Sequence, residues 1–137
     1  MAENTVFAHA YEKGLGVQPR KCSIVASLVR DRYVADALVI LEHTPRRAAK
    51  PVMKAIESAR ANLLNKYDSV DAKTIRIARI FVASGKRLRR YVPASRGRAL
   101  PFEKITSNLF VEVAAEPKKK AETKKSEAKK STKKEDK

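Results

Sequence analysis

The organisation of the chain is clearest in residues 75–113, which have the sequence IRIARIFVASGKRLRRYVPASRGRALPFEKITSNLFVEV. Apolar, strand-like runs lie at both ends of this stretch, IRIARIFV at the start and NLFVEV at the finish. Because strands that follow one another in sequence usually pair, the two runs predict an antiparallel hairpin. Its connecting segment, residues 84–107, is far longer than the two to five residues of an ordinary hairpin loop, which indicates a functional or a disordered segment.

The apolar alternation of the first run changes phase part-way. Ile75 and Ile77 share one phase, whereas Ile80 and Val82 share the opposite one. A one-residue slip of this kind predicts a β-bulge near residues 78–79. The last run alternates without a slip, at Leu109, Val111 and Val113.

The connecting segment carries six cations between residues 86 and 98, and its first acid is Glu103. Like charges this close favour an extended, solvated segment unless counter-charge is supplied from outside. If the basic flanks continue the strands, the hairpin becomes an arm that reaches outward. Tyr91 and Phe102 offer ring faces for base stacking, and Gly97 allows close backbone approach or a turn with positive φ. We therefore interpret this segment as a nucleic-acid contact in preference to an ordinary surface loop.

The first half of the chain predicts one strand and two helices. Residues 6–11 favour a short strand, and Pro19 suits the first position of a helix preceded by Gln18. The apolar stripe predicted for this helix consists of Ile24, Val25, Leu28 and Val29. The stripe predicted for the second helix consists of Val34, Ala37, Leu38 and Leu41, with His43 at its end.

A third helix is predicted to begin at Thr44 and Pro45, as N-cap and first helical residue. Its apolar side comprises Ala48, Ala49, Val52, Ile56, Ala59 and Leu63. Pro51 lies inside this pattern and should bend the helix or delay its regular start. The element order is then β-α-α-α-β-β, and the predicted fold class is α+β, with three helices packed on a small antiparallel sheet.

Paired cations stand at two of the predicted helix starts, Arg20 with Lys21 and Arg46 with Arg47. A helix N-terminus favours anions through its free N–H groups and its dipole. These four residues are candidate phosphate contacts, and the alternative is an ordinary exposed first turn.

The composition limits the classes of partner. The 137 residues include 31 Lys and Arg but 15 Asp and Glu, a net charge of +16, which indicates a polyanion such as nucleic acid or an anionic membrane. The single cysteine, Cys22, rules out a disulfide within the chain, and neither His9 nor His43 stands in a catalytic or metal-binding pattern. The sequence shows no secretory signal and no span for a bilayer, so we expect a cytoplasmic protein without a cofactor.

The C-terminal residues 114–137 contain ten Lys, five acids and no aromatic or branched aliphatic residue. They cannot bury enough apolar surface to offset their ordering entropy, so a disordered basic tail is predicted after one domain of residues 1–113. Two other classes stay open at this point. A DNA-compacting protein would share the charge, and an enzyme acting on RNA would need an acid/base pair or metal cluster that the sequence does not display.

Three motifs together resemble a known family. They are VQPRKCSIVASLVR, then VADALVIL followed by TPRRAAKPVMKAIESARAN, and finally IFVASGKRLRRYVPASRGRA. In this order they are similar to the universal large-subunit ribosomal protein twenty-two family in its bacterial form, over residues 8–113. The usual Gly after the first helix of that family is Asp31 here.

The resemblance implies a structural, non-enzymatic protein of the large ribosomal subunit that braces ribosomal RNA and lines the nascent-peptide exit tunnel with its hairpin tip. Ribosomal RNA, neighbouring ribosomal proteins and the nascent peptide are the implied partners, with no membrane and no homo-oligomer expected. The arm, residues 84–107, is expected to contact RNA through Lys86, Arg87, Arg89, Arg90, Tyr91, Arg96, Gly97, Arg98 and Lys104. The implied tunnel tip consists of Ala94, Ser95, Arg96, Gly97, Arg98, Ala99 and Leu100.

Overall fold

A computed structural model describes residues 5–67 and 70–116 of the chain. Its elements are β1 (Val6–Leu15), α1 (Pro19–Val29), α2 (Val34–Glu42), α3 (Ala49–Lys66), β2 (Arg76–Pro93) and β3 (Ala99–Ala115), with a short 3₁₀ turn at Ser95–Gly97. The strands form one antiparallel sheet in the order β1-β3-β2. The predicted α+β class and the order β-α-α-α-β-β are confirmed.

The first strand is longer than the predicted residues 6–11. Its pairing with β3 continues as far as Leu15 opposite Ser107, with a register shift between Glu12 and Leu15. Gly14 lies in this shift with φ of 70°, a conformation that glycine adopts without a steric penalty. The strand therefore does not end before the polar pair Glu12-Lys13, as the sequence suggested. It continues through a bulge to Leu15.

One face of the sheet is covered by α1 and α3, and α2 packs against these two helices. The core lies between the helices and the sheet. α3 supplies six buried residues to this core, and β3 supplies Leu109, Val111, Val113 and Ala115. Each large aliphatic side chain removed from water in this way stabilises the fold by about 1.5–3 kcal/mol. The predicted apolar stripes of the second and third helices are confirmed, since their members are buried or packed against the core.

The stripe predicted for the first helix is partly wrong. Ile24 and Leu28 are 49% and 43% exposed, whereas Val25 and Val29 are buried together with Cys22 and Ala26. The helical repeat brings residues 22, 25, 26 and 29 onto one line. This line faces the sheet, so its side chains are buried there, and Ile24 and Leu28 remain on the flank.

The predicted start of the third helix at Thr44 and Pro45 is also wrong. The helix begins at Ala49, and the Thr44 hydroxyl instead donates to the carbonyl oxygen of Ile40 at 2.6 Å, at the end of α2. The delay has a physical reason, because Pro51 then falls in the first turn of α3, where its missing N–H leaves no hydrogen bond unmade. The expected delay is thus observed, and His43 does close α2 as its C-cap.

The hairpin of β2 and β3 includes the predicted bulge, seen as a register shift between Ile77 and Arg79. At the other end of the domain, β3 continues to Ala115, which is buried and pairs with Val6. Ala114 and Ala115 therefore belong to the sheet, although the sequence assigned them to the basic tail. Glu116 follows the strand and is exposed, and residues 117–137 of the predicted tail lie outside the described residues.

Candidate nucleic-acid interface

The arm, residues 84–107, is a continuation of β2 and β3 beyond the helices. Its pairing is regular from Arg87 opposite Ile105 to Pro93 opposite Ala99, and it begins after a register shift between Ser84 and Arg87. The sequence left open whether the basic flanks form a loop or continue the strands. They continue the strands, so the arm is a two-stranded ribbon that carries its charges outward.

Every cation of the arm is exposed to solvent. Its one acid, Glu103, lies between two arginines, with 3.6 Å from Oε2 to Arg87 Nη1 and 3.8 Å from Oε1 to Arg89 Nε. These exposed pairs add little stability, since such interactions contribute roughly 0–1 kcal/mol. Within the described part of the chain, five arm cations make no ion pair with an acid: Lys86, Arg90, Arg96, Arg98 and Lys104.

The two faces of the ribbon differ in chemistry. One face carries Arg87, Arg89 and Tyr91 on β2, since alternate residues of a strand point the same way. Tyr91 is 72% exposed, so its ring is open to a stacking partner. The opposite face combines two cations with large exposed apolar side chains: Leu88, Arg90, Val92, Leu100, Phe102 and Lys104. Each face thus offers cations beside apolar or aromatic surface.

The tip of the arm, residues 94–100, is a tight turn. Arg96 and Gly97 both have positive φ, 58° and 72°, and the Ala94 N–H donates to the Arg98 carbonyl at 2.8 Å. Of the two roles that the sequence allowed for Gly97, the structure shows the turn with positive φ. Its backbone hydrogen bond holds Arg96 and Arg98 at the extreme end of the ribbon, where both are exposed.

A second basic surface forms where the first helix meets the connection before the third. Lys21, Arg46 and Arg47 line one open groove of about 660 Å³ beside the N-terminus of α1. Arg20 is exposed on the same first turn but does not line this groove. The position predicted for Arg46 and Arg47 is wrong, because both precede α3 and neither lies in its first turn. The fold nevertheless brings Lys21 of one predicted pair beside Arg46 and Arg47 of the other.

Sequence reasoning missed the exposed face of the sheet. Phe81 and Phe110 lie there with His9, on the side opposite the helices, and Arg79 is bound to Glu112 at 3.8 Å beside them. A signal was available in the sequence, since Phe81 and Phe110 occupy the outward phase of their strands, between the buried alternating residues. A single aromatic residue in that phase is unremarkable, and only the strand order shows that several become neighbours.

The cysteine and the possible metal ligands of the described residues do not form a reactive site. Cys22 is fully buried, and this burial is the main cause that raises the pKa of its thiol above the ordinary 9.0. A hydrogen bond with Ser107 acts in the opposite direction, and the charge of Glu12 raises the pKa further. Within residues 5–67 and 70–116, no three His, Cys, Asp or Glu side chains are grouped closely enough to hold a metal ion. None of the helices described is long and apolar enough to cross a membrane.

Known proteins are similar in sequence to most of this chain. Residues 10–114 match the family described as Ribosomal protein L22p/L17e, which includes the whole arm. The chain belongs to the L22p/L17e family. A large ribosomal subunit protein uL22 from Pediococcus pentosaceus is 39% identical over 114 residues, covering 83% of this chain and 96% of its own length. That of Anaeromyxobacter sp. is 42% identical over 105 residues, covering 77% and 73%.

A third relative, the large ribosomal subunit protein uL22 of Metamycoplasma hominis, is 39% identical over 106 residues and covers 77% of this chain and 81% of its own length. These relatives are matched over most of their length, so the similarity concerns whole proteins and not a shared fragment. The L22p/L17e match ends at residue 114, close to the end of β3. The family resemblance inferred from the three sequence motifs is therefore confirmed.

Proposed function

We propose that this chain is a structural constituent of the large ribosomal subunit that binds and braces large-subunit ribosomal RNA during assembly. The observation that carries the proposal is the arm, a protruding ribbon with seven cations and one acid. Such a ribbon has no partner for its charge within the described chain, apart from the pairs to Glu103. RNA phosphates supply that counter-charge. Membership of the family supports a location in the cytoplasmic ribosome. It also supports other ribosomal proteins as neighbours.

The mechanism is neutralisation of phosphates with release of their counterions. Arg presents a planar fork of donors that matches two phosphate oxygens at once, and five of the six cations between residues 86 and 98 are Arg. Alternation along the strands points these cations to both faces of the ribbon. An arm of this shape is suited to a crevice between RNA segments, because both faces then meet phosphates.

The proposal gives the tip, residues 94–100, a place in the wall of the nascent-peptide exit tunnel. The tight turn supports this assignment, since it ends the ribbon in a compact, exposed point. The same proposal includes Lys21, Arg46 and Arg47 as phosphate contacts of the body, together with Arg20. It contains no catalytic step, and every named residue acts by binding alone.

The test is incorporation of arm variants into the large subunit. Changing Arg89, Arg90, Arg96 and Arg98 to Glu should abolish co-sedimentation with the subunit in a high-salt gradient, because the arm then repels phosphate. The melting temperature of the free protein should change little, since none of these side chains is buried. In direct binding to large-subunit RNA, loss of four phosphate contacts should lower the slope of log affinity against log salt by roughly 3.

Two control variants make the result specific. Replacing the same four residues with Lys retains the charge and should retain most incorporation, with the loss limited to the paired hydrogen bonds of Arg. Reversing four exposed cations of the body, Lys50, Lys54, Lys66 and Lys73, imposes the same charge change outside the arm. If this body variant fails as completely as the arm variant, total charge carries the binding and the arm has no special role. Equal competition by duplex DNA would favour the DNA-compacting alternative.

A further inference from the structure

The sheet has an uncovered face on the side opposite the helices, which we call the outer sheet face. It is formed by the outward residues of the three strands: Phe7, His9, Tyr11 and Lys13 of β1, Asn108, Phe110 and Glu112 of β3, and Arg76, Arg79 and Phe81 of β2. The register places Tyr11, Phe110 and Phe81 side by side across the sheet. The outer sheet face is thus aromatic across its middle.

The rings of this face form a column. Phe81 and Phe110 stack with centroids 4.8 Å apart and an interplanar angle of 24°, and His9 stacks on Phe110 at 5.9 Å and 18°. Phe110 is in the middle, so both of its ring faces have a neighbour. Phe81, which is 47% exposed, and His9 stand at the two ends of the column. Each of these two rings stacks on Phe110, and both side chains are exposed to solvent.

Positive charge surrounds the column. Arg79 is two residues from Phe81 on the same face of β2, and its side chain is 71% exposed although it pairs with Glu112. Arg76 lies over the ring of Tyr33 at 5.0 Å, and Lys13 lies over the ring of Tyr11 at 5.4 Å. The outer sheet face therefore carries three cations. Glu112 is engaged by Arg79, and two further acids, Asp31 and Glu116, line a cleft with Arg76 at one end of the face.

We propose that the outer sheet face binds unpaired nucleotides of an RNA, with a base stacked on the exposed ring of Phe81 and the adjoining phosphates held by Arg79 and Arg76. A second base can stack on His9, at the other end of the column. Planar bases extend a stack of parallel rings without regard to their identity, because every base has a π-face. The proposal rests on the proposed function, since it gives an RNA-binding protein a second contact of different chemistry.

Charge and continuity favour RNA over another protein as the occupant. A protein surface that complements three cations would need several acids, whereas RNA brings one phosphate with every base. The face is also continuous with the arm through β2. Lys86, the first cation of the arm, is five residues from Phe81, a rise of about 17 Å along the strand. An RNA strand that follows the arm thus reaches the outer sheet face within a few nucleotides.

The test uses the full-length chain and two probes, a short unstructured RNA and a duplex RNA of equal length. Phe81→Leu removes the ring but keeps an apolar side chain of similar size, and Phe81→Tyr restores an aromatic ring. Loss of one stacked base should weaken binding of the unstructured RNA by roughly fivefold to a hundredfold. Binding of the duplex should be unchanged, because its bases are already stacked. The salt slope should also be unchanged, because no phosphate contact is removed.

A direct readout comes from ultraviolet cross-linking of the wild-type chain to the unstructured RNA. Trypsin cleaves after Arg79 and Lys86, so an adduct on Phe81 appears in the peptide of residues 80–86, separate from the arm peptides. Thermal unfolding of both variants shows whether loss of the Phe81–Phe110 stack has altered the sheet. Full recovery of RNA affinity in Phe81→Tyr would attribute the effect to the ring.

Each other outcome overturns the proposal in a recognisable way. If Phe81→Leu binds both probes normally and adducts appear in arm peptides alone, the outer sheet face has no RNA contact, although the arm still binds. If Phe81→Leu binds RNA normally but cross-links in the assembled subunit join peptide 80–86 to a neighbouring protein, the occupant is protein. If neither Phe81→Leu nor the four-fold arm reversal changes RNA affinity, the proposed function fails together with this inference.

Discussion

The body and the arm share the same two strands but are held together differently. In the body, alternate residues of β2 and β3 are buried under helices, so the hydrophobic effect supports the sheet. Beyond residue 84 the strands still pair, yet nearly every residue is exposed. A two-stranded ribbon without a packed face is marginally stable at best in water. The body is therefore specified by its own core, whereas the arm has no packed face of its own.

The transition between these two regimes is abrupt. It coincides with the register shift between Ser84 and Arg87 and with Gly85. On one side of this point Ser107 is buried, and its hydroxyl donates to the Val17 carbonyl at 2.9 Å. On the other side Thr106 donates to the Lys86 carbonyl at 2.8 Å, an exposed bond within the ribbon. The bulge thus separates a sheet anchored to the body from one held by cross-strand bonds alone.

The largest effect on stability is expected when a leucine is changed to alanine in the body, compared with the same change in the arm. Leu63→Ala removes a fully buried side chain from α3 and should lower the free energy of unfolding by about 2–5 kcal/mol. Leu88→Ala removes a 40% exposed side chain from the arm and should change it by about 0.5 kcal/mol or less. Urea denaturation measures both. Similar losses at the two sites would mean that the arm belongs to the cooperative core, and the comparison would fail.

The next effect concerns the boundary itself. A Cβ atom added at Gly85 would lie 2.6 Å from Thr106 Oγ1 and 3.1 Å from the Thr106 backbone carbon and oxygen. Gly85→Ala should therefore push the strands apart at the bulge and cost about 1–3 kcal/mol of local stability. Hydrogen exchange should speed up at arm amides while core amides stay protected.

The matched control is Gly85→Ala combined with Thr106→Ala, which removes the closest atom but leaves the backbone contacts. Thr106→Ala by itself removes the hydrogen bond to the Lys86 carbonyl, so the double variant is compared with Thr106→Ala alone. Gly85→Ala should cost less protection in the Thr106→Ala background than in the wild type. If Gly85→Ala leaves exchange in the arm unchanged, the close approach at this point does not hold the ribbon to the body.

Sequence reasoning predicted the body well because hydrophobic period and proline chemistry act locally. The bulge near residues 78–79 follows from a phase change among isoleucines, and the late start of α3 follows from Pro51. The exposure of Ile24 and Leu28 was not predictable in the same way, since it depends on which side of α1 faces the sheet. The sequence pattern predicts the buried face of a helix to within one or two residues. Tertiary packing then decides which of these residues are buried.

The residues of the candidate site also differ in how far the sequence could predict them. The arm cations were identifiable because a run of like charge is visible in the sequence. Lys21, Arg46 and Arg47 were predicted as phosphate contacts because each pair was placed at a helix start. This reason is wrong for Arg46 and Arg47, which precede α3, although the three residues do line one groove. The aromatic column joins residues 9, 81 and 110, which come together only through the strand order β1-β3-β2. No local pattern contains that order.

A smaller effect is expected for the pH dependence of stability, which Cys22 in the core of the body controls in part. Because burial raises the pKa of this thiol, the folded state keeps its proton at a pH where the unfolded chain begins to lose it. The stability contribution is fully present below the unfolded pKa near 9.0 and declines as pH rises above it, since the unfolded state then binds fewer protons. Denaturation at pH 8 and pH 10 should show a larger decline for the wild type than for Cys22→Ala.

The same thiol gives a kinetic check on the comparison. A thiol reagent should modify Cys22 at the rate of global unfolding, because the side chain is fully buried. Gly85→Ala should leave this rate unchanged, since it opens the arm and not the body. Faster labelling in that variant would show that the two regions open together.

The smallest effect compares two residues with the same strained backbone. Asp31 in the body and Arg96 at the tip have φ of 60° and 58°, in the left-handed region that disfavours residues with a Cβ. Changing either to Gly relieves strain but adds freedom to the unfolded chain, so the expected gain is about 0.5 kcal/mol. For Asp31→Gly the gain should appear as a higher midpoint of urea denaturation, because this turn joins two packed helices. For Arg96→Gly the midpoint should stay constant, because an arm that is already marginal opens before the core does. A rise of equal size in both variants would show that tip and core unfold as one unit, and the distinction between a body with its own core and an arm without one would have to be abandoned.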